Sequence, residues 1–545
     1  MQSRTPAPRQ DVCVVGAGPA GALVAHRLAS AGHDVVVLEA GPRFDFEDRP
    51  ERMERAIRPA HDDISVWEMG GQRDAFTSAG EQFYPLNVTR VKGVGGSTLH
   101  WQGMVMRLHE SDFAGSLPNE DSAWPLDYED LRPYYAEVES AFGVAGASDN
   151  PFAPPRDRPH PMPAFEPSYS DSLFAPACER LGITTHSVPN ARNSEGYDDR
   201  SPCVGYGTCQ PVCPSGAKYS ADNHVAKAEE DGARVIDRAP VQRLETGGGD
   251  GGRIDAAVYA TPDGTEHRQE ARHFVLAAGG IEIPRLLLLS RSPEHPDGLA
   301  NSSGVVGRYF MEHLFAGAGG TLDRQTRQDH VGFITSESHQ FYDDPGQRIE
   351  RDGETVVPAA DGPLSPIKLE FLNYAGPSPV EQALDADTWG DDLLDDLRES
   401  YGHHIAMGGL VGQPPRAENR ITLDTSTTDD HGNPVPEIHW SWGERVGRTI
   451  DRANRIQHAV LDELGVDVDW TAGPESTGPA YHHMGTTRMG TDPTESVVDP
   501  DLRTHDLDNC WIASSSVFRT AGSMNPTLTI GALALRCAEE LDGLL

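Results

Sequence analysis

The chain has 545 residues, 45 basic against 84 acidic, with a formal charge of -39. That length exceeds one simple core and predicts two or three subdomains. The charge leaves no basic stripe for nucleic acid, and no apolar run reaches the roughly 18 residues of a membrane-spanning helix. Only four bases are lysine (Lys92, Lys218, Lys227 and Lys368), and acid is spread along the whole chain. The pattern is that of a heavily solvated acidic surface, as in proteins from high-salt cytoplasm, where screening makes self-repulsion tolerable. Residues 1–10 are polar and run straight into an apolar segment, so no secretory signal is expected. This points to the cytoplasm, or to a membrane periphery reached through a partner. Seven cysteines are an odd and modest number, which argues against a disulfide framework.

The first informative stretch is Asp11-Val-Cys-Val-Val-Gly16-Ala-Gly18-Pro-Ala-Gly21. A helical stretch over 22–31 follows, then Val35-Val-Val-Leu38, closed by Glu39. The order is strand, phosphate turn, helix, strand. Gly16 permits the turn, Gly18 lets backbone amides approach a pyrophosphate, and Gly21 lets the helix pack on the sheet. The helix N-terminus then faces phosphate with its partial positive charge. Glu39 stands 23 positions after Gly16, near the roughly 20 expected of a carboxylate that holds a ribose hydroxyl. The stretch specifies a dinucleotide, and neither which one nor its chemistry.

Residues 43–75 are charged and mixed, and predict helix and loop. In Arg90-Val-Lys-Gly93-Val-Gly95-Gly96-Ser97-Thr-Leu-His100, glycines precede a small hydroxyl pair. They make a tight loop that can lie along a pyrophosphate or an isoalloxazine ring. A capped amphipathic helix is predicted over 124–141, and 150–165 is a proline-rich, rigid connector. Cys203, Cys209 and Cys213 follow a C-x5-C-x3-C spacing ending in proline. Thiolates so close in a Gly/Pro loop are read as converging on one point, and iron–sulfur clusters are held in such loops. Zinc usually takes four ligands, and no histidine follows at a usual spacing. The plainer reading is a disulfide plus a spare thiol. A glycine run at 247–252 predicts a loop tip. Residues 273–278 form a buried strand entering the Gly279-Gly280 turn, with a helix over 285–290. Beyond 314, short strands at 331–335, 367–373, 404–411, 421–423 and 437–442 alternate with acidic loops such as 385–396. They predict a mainly antiparallel sheet, followed by a helix over 445–464. His403 and His404 are read as buried or solvated.

The C-terminal stretch is the most specific. It runs His482-His483-Met-Gly485-Thr486-Thr-Arg488, then Trp511-Ile-Ala-Ser-Ser-Ser516, then Met-Asn525-Pro526-Thr527 and a terminal helix over 528–541. With the 90–103 loop and residues 273–284, it resembles the glucose–methanol–choline (GMC) oxidoreductases, over perhaps two-thirds of the chain. The resemblance implies an α/β fold, with an FAD-binding Rossmann-like domain and a substrate domain on a mainly antiparallel sheet. The segments would be 1–115, 201–313 (with the cysteines) and 470–545 for FAD, 314–469 for substrate, and 116–200 as connector and part of the substrate domain.

By the same resemblance His482 and Asn525 are the catalytic pair. Gly16, Gly18, Gly21, Glu39, Gly95, Gly96, Ser97, His100, Val241, Ala278, Gly279, Ser516, Pro526 and Thr527 would contact FAD. His100 either bonds covalently to the flavin or packs beside it. The three cysteines resemble those that carry a [3Fe–4S] cluster in flavin- and cytochrome-linked dehydrogenases of sugars, sugar acids and polyols. Such catalytic subunits associate with a small subunit and a haem subunit. A neutral imidazole can accept the hydroxyl proton as hydride leaves carbon, Asn525 can donate to the developing alkoxide, and flavin does the two-electron step. His483 competes with His482, but motif register favours His482, and adjacent residues on an extended chain face opposite ways. The rival readings are an oxidase using oxygen, with structural cysteines, and a lyase with structural FAD.

Overall fold

The computed structural model describes residues 4–58, 65–115, 122–247, 252–328, 331–374, 376 and 378–545. Two sheets organise the chain. The first has the strand Gln10–Val15 at its centre, parallel to Val35–Leu38 on one side and to Glu266–Leu276 on the other. Arg234–Ile236 extends it in parallel beyond Val35–Leu38. Cys510–Ile512 pairs with the end of Glu266–Leu276. The early part of that long strand instead pairs antiparallel with Ile254–Ala260, which pairs with Val241–Thr246. The intervening tip, 248–251, lies outside the described residues.

Val12 to Val15 and Val35 to Leu38 are buried throughout, as strands covered on both faces require. The cover on one face is the helix Pro19–Ser30. Leu23, Val24 and Leu28 are buried on it together with five small residues. It packs between the sheet and two further helices, Thr527–Leu544 and Asp222–Glu230. The predicted capped helix is Tyr128–Phe142, with Asp127 and Asp130 forming its capping box.

The second sheet is antiparallel in every pairing. Its order is Asp467–Ala472, Gly317–Thr321, His404–Gly412, Ile367–Leu372, Ser336–Ser338 and His186–Ser187, with His313–Phe315 beside His404–Gly412. The helix Glu444–Leu464 lies on one face of it and buries Val446, Ile450, Ala453, Ile456 and Val460, spaced three and four apart as one helical stripe demands.

Two local expectations fail. Residues 331–335 are not a strand, and the sheet takes Ser336–Ser338 instead. The acidic stretch 385–396 is not all loop: Asp385 ends the helix Pro379–Asp385, residues 386–390 connect, and Asp391 begins the helix Asp391–Ser400. Ser378 and Glu381 form a capping box that starts the first, and local capping here outweighs the density of acid.

The nucleotide turn is built on backbone contact. Gly16 has φ +105, and a Cβ there would stand 2.7 Å from the Ala277 carbonyl oxygen; a Cβ on Gly21 would stand 1.9 Å from the Gly16 oxygen. Gly32 has φ +95 but open space around it. Gly21→Ala is expected to cost about 3 kcal/mol, and Gly32→Ala only about 1 kcal/mol, the cost of a left-handed backbone. Thermal unfolding of the two variants checks the difference.

Candidate active site

Parallel strands expose their carboxyl ends to a crevice, and here a cavity of about 640 Å³ opens beyond Val15 and Ala277. Three helices begin on its wall, at Gly18–Pro19, at Ala278–Gly279 and at Pro526–Thr527. Unpaired amides and the partial positive charge of each N-terminus therefore face one space, suited to an anion. Gly96 approaches Gly18 so closely that a Cβ on it would lie 2.8 Å from the Gly18 Cα. The second glycine loop is thus laid against the first.

Of the residues expected at the cofactor, Gly16, Gly18, Glu39, Gly96, Ser97 and His100 line the cavity, as do Val241, Ala278, Gly279, Pro526 and Thr527. Gly21 packs behind the turn, and Gly95 takes φ +106 behind the second loop, against Leu99. Ser516 does not reach the cavity: it is fully buried, its amide donating to Ser514 Oγ and its hydroxyl accepting from Thr487. Ser514 and Ser515 line the space instead. Glu39 accepts from the amides of Ala17 and Gly41, each at 2.8 Å. Burial pushes its carboxyl up to about 7 against those two bonds. His100 is buried, and its Nδ1 has no hydrogen-bond partner. Burial, and then the charge of Lys218, push its imidazole down to about 3.

At the opposite end His482 and Asn525 meet, with Asn525 Nδ2 3.4 Å from His482 Nε2. Tyr481 takes φ +71, a conformation costly for a bulky residue. Beyond it the His482 amide reaches both oxygens of buried Glu312 at 2.9 Å. Glu312 also accepts from the His313 amide at 3.0 Å and from the Tyr84 hydroxyl. His482 Nδ1 lies 2.9 Å from His313 Nδ1. Burial, followed by His313 and Lys368, holds the His482 imidazole well below its ordinary value, so the ring is neutral. His483 also touches the cavity, but its Nε2 is engaged by Thr89 Oγ1 at 2.8 Å.

The cysteine loop lies behind His100. All seven cysteines are free of disulfides, which removes the disulfide reading for Cys203, Cys209 and Cys213. Their three sulfurs do not all lie within 4.8 Å of one another, although burial, with Cys209 and Cys213 near enough to add to it, pushes the Cys203 thiol up. Among the described residues, the one set of three His, Cys, Asp or Glu ligand atoms within 4.8 Å of one another is His186, Glu337 and His339. Thiolates around a single zinc ion stand about 3.8 Å apart, given a bond of about 2.3 Å and tetrahedral geometry. Buried Lys218 joins this loop to the cavity wall, its Nζ donating to Cys209 O at 2.5 Å, Trp101 O at 2.6 Å and Leu99 O at 3.3 Å. Its amide donates to Cys213 Sγ at 3.5 Å. Although burial pushes it up, the Cys213 thiol falls below its usual value because of Lys218 and Arg192.

Comparison with known proteins decides the family. The GMC oxidoreductase family model matches residues 57–315 and 415–534, and an FAD-dependent oxidoreductase model matches 11–48. The fructose dehydrogenase large subunit of Gluconobacter japonicus is 33% identical, over 97% of each chain. The chain belongs to the GMC oxidoreductases. It is 29% identical to the 2-methyl-1,2-propanediol dehydrogenase of Mycolicibacterium austroafricanum, over 99% of this chain and 96% of that one. A formate oxidase structure from Aspergillus oryzae superposes with a TM-score of 0.68 at 16% identity, covering 99% of both chains. The residues present fit the FAD of a GMC enzyme: the glycine cradle leaves no room for side chains, and the orphaned His100 Nδ1 borders the cavity.

The run 307–313, with Glu312 and His313, also resembles the family, but no site role is read from sequence for these two or for Lys218, Lys368 and Glu370. For the two lysines a signal existed: with only four in the chain, both are buried at 1% exposure or less. Burial raises the Glu312 carboxyl from 4.5 to about 8 against the bonds from Tyr84 and the backbone amides. The unfolded chain therefore ionises first as pH rises, and stability falls between pH 4.5 and about 8 and levels off above. Glu312→Gln should flatten that part of the curve of melting temperature against pH.

Proposed function

We propose that the enzyme oxidises a CH–OH group of a sugar, sugar acid or polyol, with His482 as base and Asn525 as donor to the substrate oxygen. The observation that carries this reading is His482 Nε2 facing Asn525 Nδ2 on the wall of the cofactor cavity, where burial favours the uncharged imidazole. It is supported by relatives named for fructose and for a diol. Bound FAD supplies the two-electron acceptor for hydride leaving the substrate carbon. His482 Nε2 takes the hydroxyl proton, and Asn525 Nδ2 donates to the oxygen as charge develops on it. Glu312 holds the His482 backbone, so the ring keeps its place as its charge changes. Glu39 steadies the turn and holds the adenosine ribose, while His100 is the residue that would bond the flavin covalently.

Cys203, Cys209 and Cys213 would hold an iron–sulfur cluster of the [3Fe–4S] type, which supplies one-electron transfer toward a cytochrome or quinone acceptor. Sulfurs that are not all within 4.8 Å of one another, and the cations Lys218 and Arg192 beside them, support this over a single zinc ion. A small subunit and a cytochrome subunit would complete the path, tying the enzyme to a membrane periphery. Among the described residues no helix is long and apolar enough to cross a membrane. The acidic exterior supports work in concentrated salt. The FAD segments are 1–115, 201–313 and 470–545, set against the substrate segment 314–469.

A panel of sugars, sugar acids and polyols with an artificial acceptor, followed by anaerobic flavin bleaching, tests the reaction. His482→Ala should keep FAD and lose substrate reduction of the flavin, whereas reduction at the wild-type rate would disprove the assignment. Because the folded imidazole titrates below 6.5, the wild-type reduction rate should not fall as pH drops through that value, as it would for an ordinary histidine base. Cys213→Ser should lose iron and labile sulfide but still bleach with substrate; a wild-type preparation without iron would end the cluster reading. Flavin fluorescence that separates from the polypeptide after acid denaturation would exclude the bond to His100.

A further inference from the structure

The second sheet closes over the catalytic pair with a row of buried charge that the reaction above leaves unused. Along Ile367–Leu372 the side chains of Ile367, Leu369 and Phe371 enter the apolar core, and Lys368 and Glu370 share the opposite face. Glu337 stands directly across the ladder from Glu370. Two carboxylates so placed repel each other, and Lys368 offsets this. Its Nζ lies 2.8 Å from Glu370 Oε1 and 3.6 Å from Glu337 Oε2. His339 Nε2 meets the other Glu337 oxygen at 2.9 Å. A metal ion among His186, Glu337 and His339 would compete with the ammonium already there. The remaining contact of Lys368 leads elsewhere: Nζ donates to Asn525 Oδ1 at 2.6 Å.

That contact has a chemical consequence. An ammonium carries donors only, so the amide atom facing it must be the oxygen. Asn525 Nδ2 is then turned to His482 Nε2, and because an amide NH2 only donates, Nε2 must be the nitrogen with the free lone pair. The neutral ring therefore carries its proton on Nδ1 and donates it to His313 Nδ1 at 2.9 Å. The His313 ring also faces the carbonyls of Gly522 and Ala521, although its Nε2 makes no hydrogen bond of good geometry.

We infer that Lys368 is a positioning residue that fixes the Asn525 amide and, through it, the His482 tautomer whose Nε2 receives the substrate proton. Without the ammonium the amide is free to turn over. Its oxygen then pairs with a ring protonated on Nε2, which cannot accept the hydroxyl proton. The inference rests on His482 and Asn525 being the catalytic pair.

The test measures the limiting rate of anaerobic flavin reduction and the substrate KM, with FAD content and melting temperature, in the full-length flavoprotein. Lys368→Met should lower the limiting rate about a hundredfold, as for misplacement of a reacting group, and move KM less than about threefold. Lys368→Arg should restore part of the rate. The decisive comparison is with Asn525→Ala. If Lys368 acts through Asn525, Lys368→Met should add less than about a threefold loss in the Asn525→Ala background. Losses that multiply in the double variant, or a Lys368→Met effect confined to KM or melting temperature, would overturn the inference. If Lys368→Met alone does not fold, Lys368→Met with Glu370→Gln removes one charge of each sign and is measured, alone and with Asn525→Ala, against the same criteria. Asn525→Ala at the wild-type rate would instead reject the catalytic pair itself.

Discussion

The structure depends on a place where there is no room for a side chain. At Gly16, Gly21 and Gly96 backbone lies against backbone, and a single Cβ would collide with a carbonyl or a neighbouring Cα. This closeness brings the first helix onto the sheet and the second glycine loop onto the first. The cavity follows from it, because helix N-termini from three distant parts of the chain can then face the same space. Glu39, bound to the amides on either side, keeps the turn from relaxing.

The second sheet solves a different problem with the same alternation that builds any strand. One face meets the helix Glu444–Leu464 and is apolar; the other carries Lys368, Glu370 and Glu337 toward the reaction. Burying charge is costly unless it is paired, and here each carboxylate has the ammonium within reach. The polar face is thus a rigid ceiling over His482 and Asn525, and a floor of backbone lies beneath the flavin end. His482 and Asn525 sit where the two constructions meet.

Much of this was legible in local sequence. Glycine spacing, the apolar runs before it and the 482–527 signature pointed to the glycine turn, to the meeting of His482 with Asn525 and to most of the cavity wall. Three features were not legible, each for a physical reason. Lys368 reaches Asn525 across 157 positions, a contact no periodicity records. Ser516 stands in a small-residue run where one residue of register decides between cavity and core. The acidic stretch 385–396 reads as a loop, but from Asp391 it opens the helix Asp391–Ser400, whose first-turn acids Asp391 and Asp392 suit a helix N-terminus. The cysteine spacing suggests sulfurs around one point; the three do not all lie within 4.8 Å of one another, and Lys218 ties their loop to the cavity wall.

The interleaving of the ends has a consequence for how the enzyme is made. Strand Gln10–Val15 lies beside Glu266–Leu276, whose other neighbour is Cys510–Ile512, and Pro19–Ser30 packs on Thr527–Leu544. Synthesis proceeds from the N-terminus, so Glu266–Leu276 and the helix Pro19–Ser30 wait for their C-terminal neighbours. A chain that stops before residue 510 lacks the strand Cys510–Ile512, the helix that covers Pro19–Ser30, and Pro526 and Thr527 of the cavity wall. Loss of residues 510–530 therefore removes part of the cavity wall together with the sheet's last strand, however intact the first glycine turn remains.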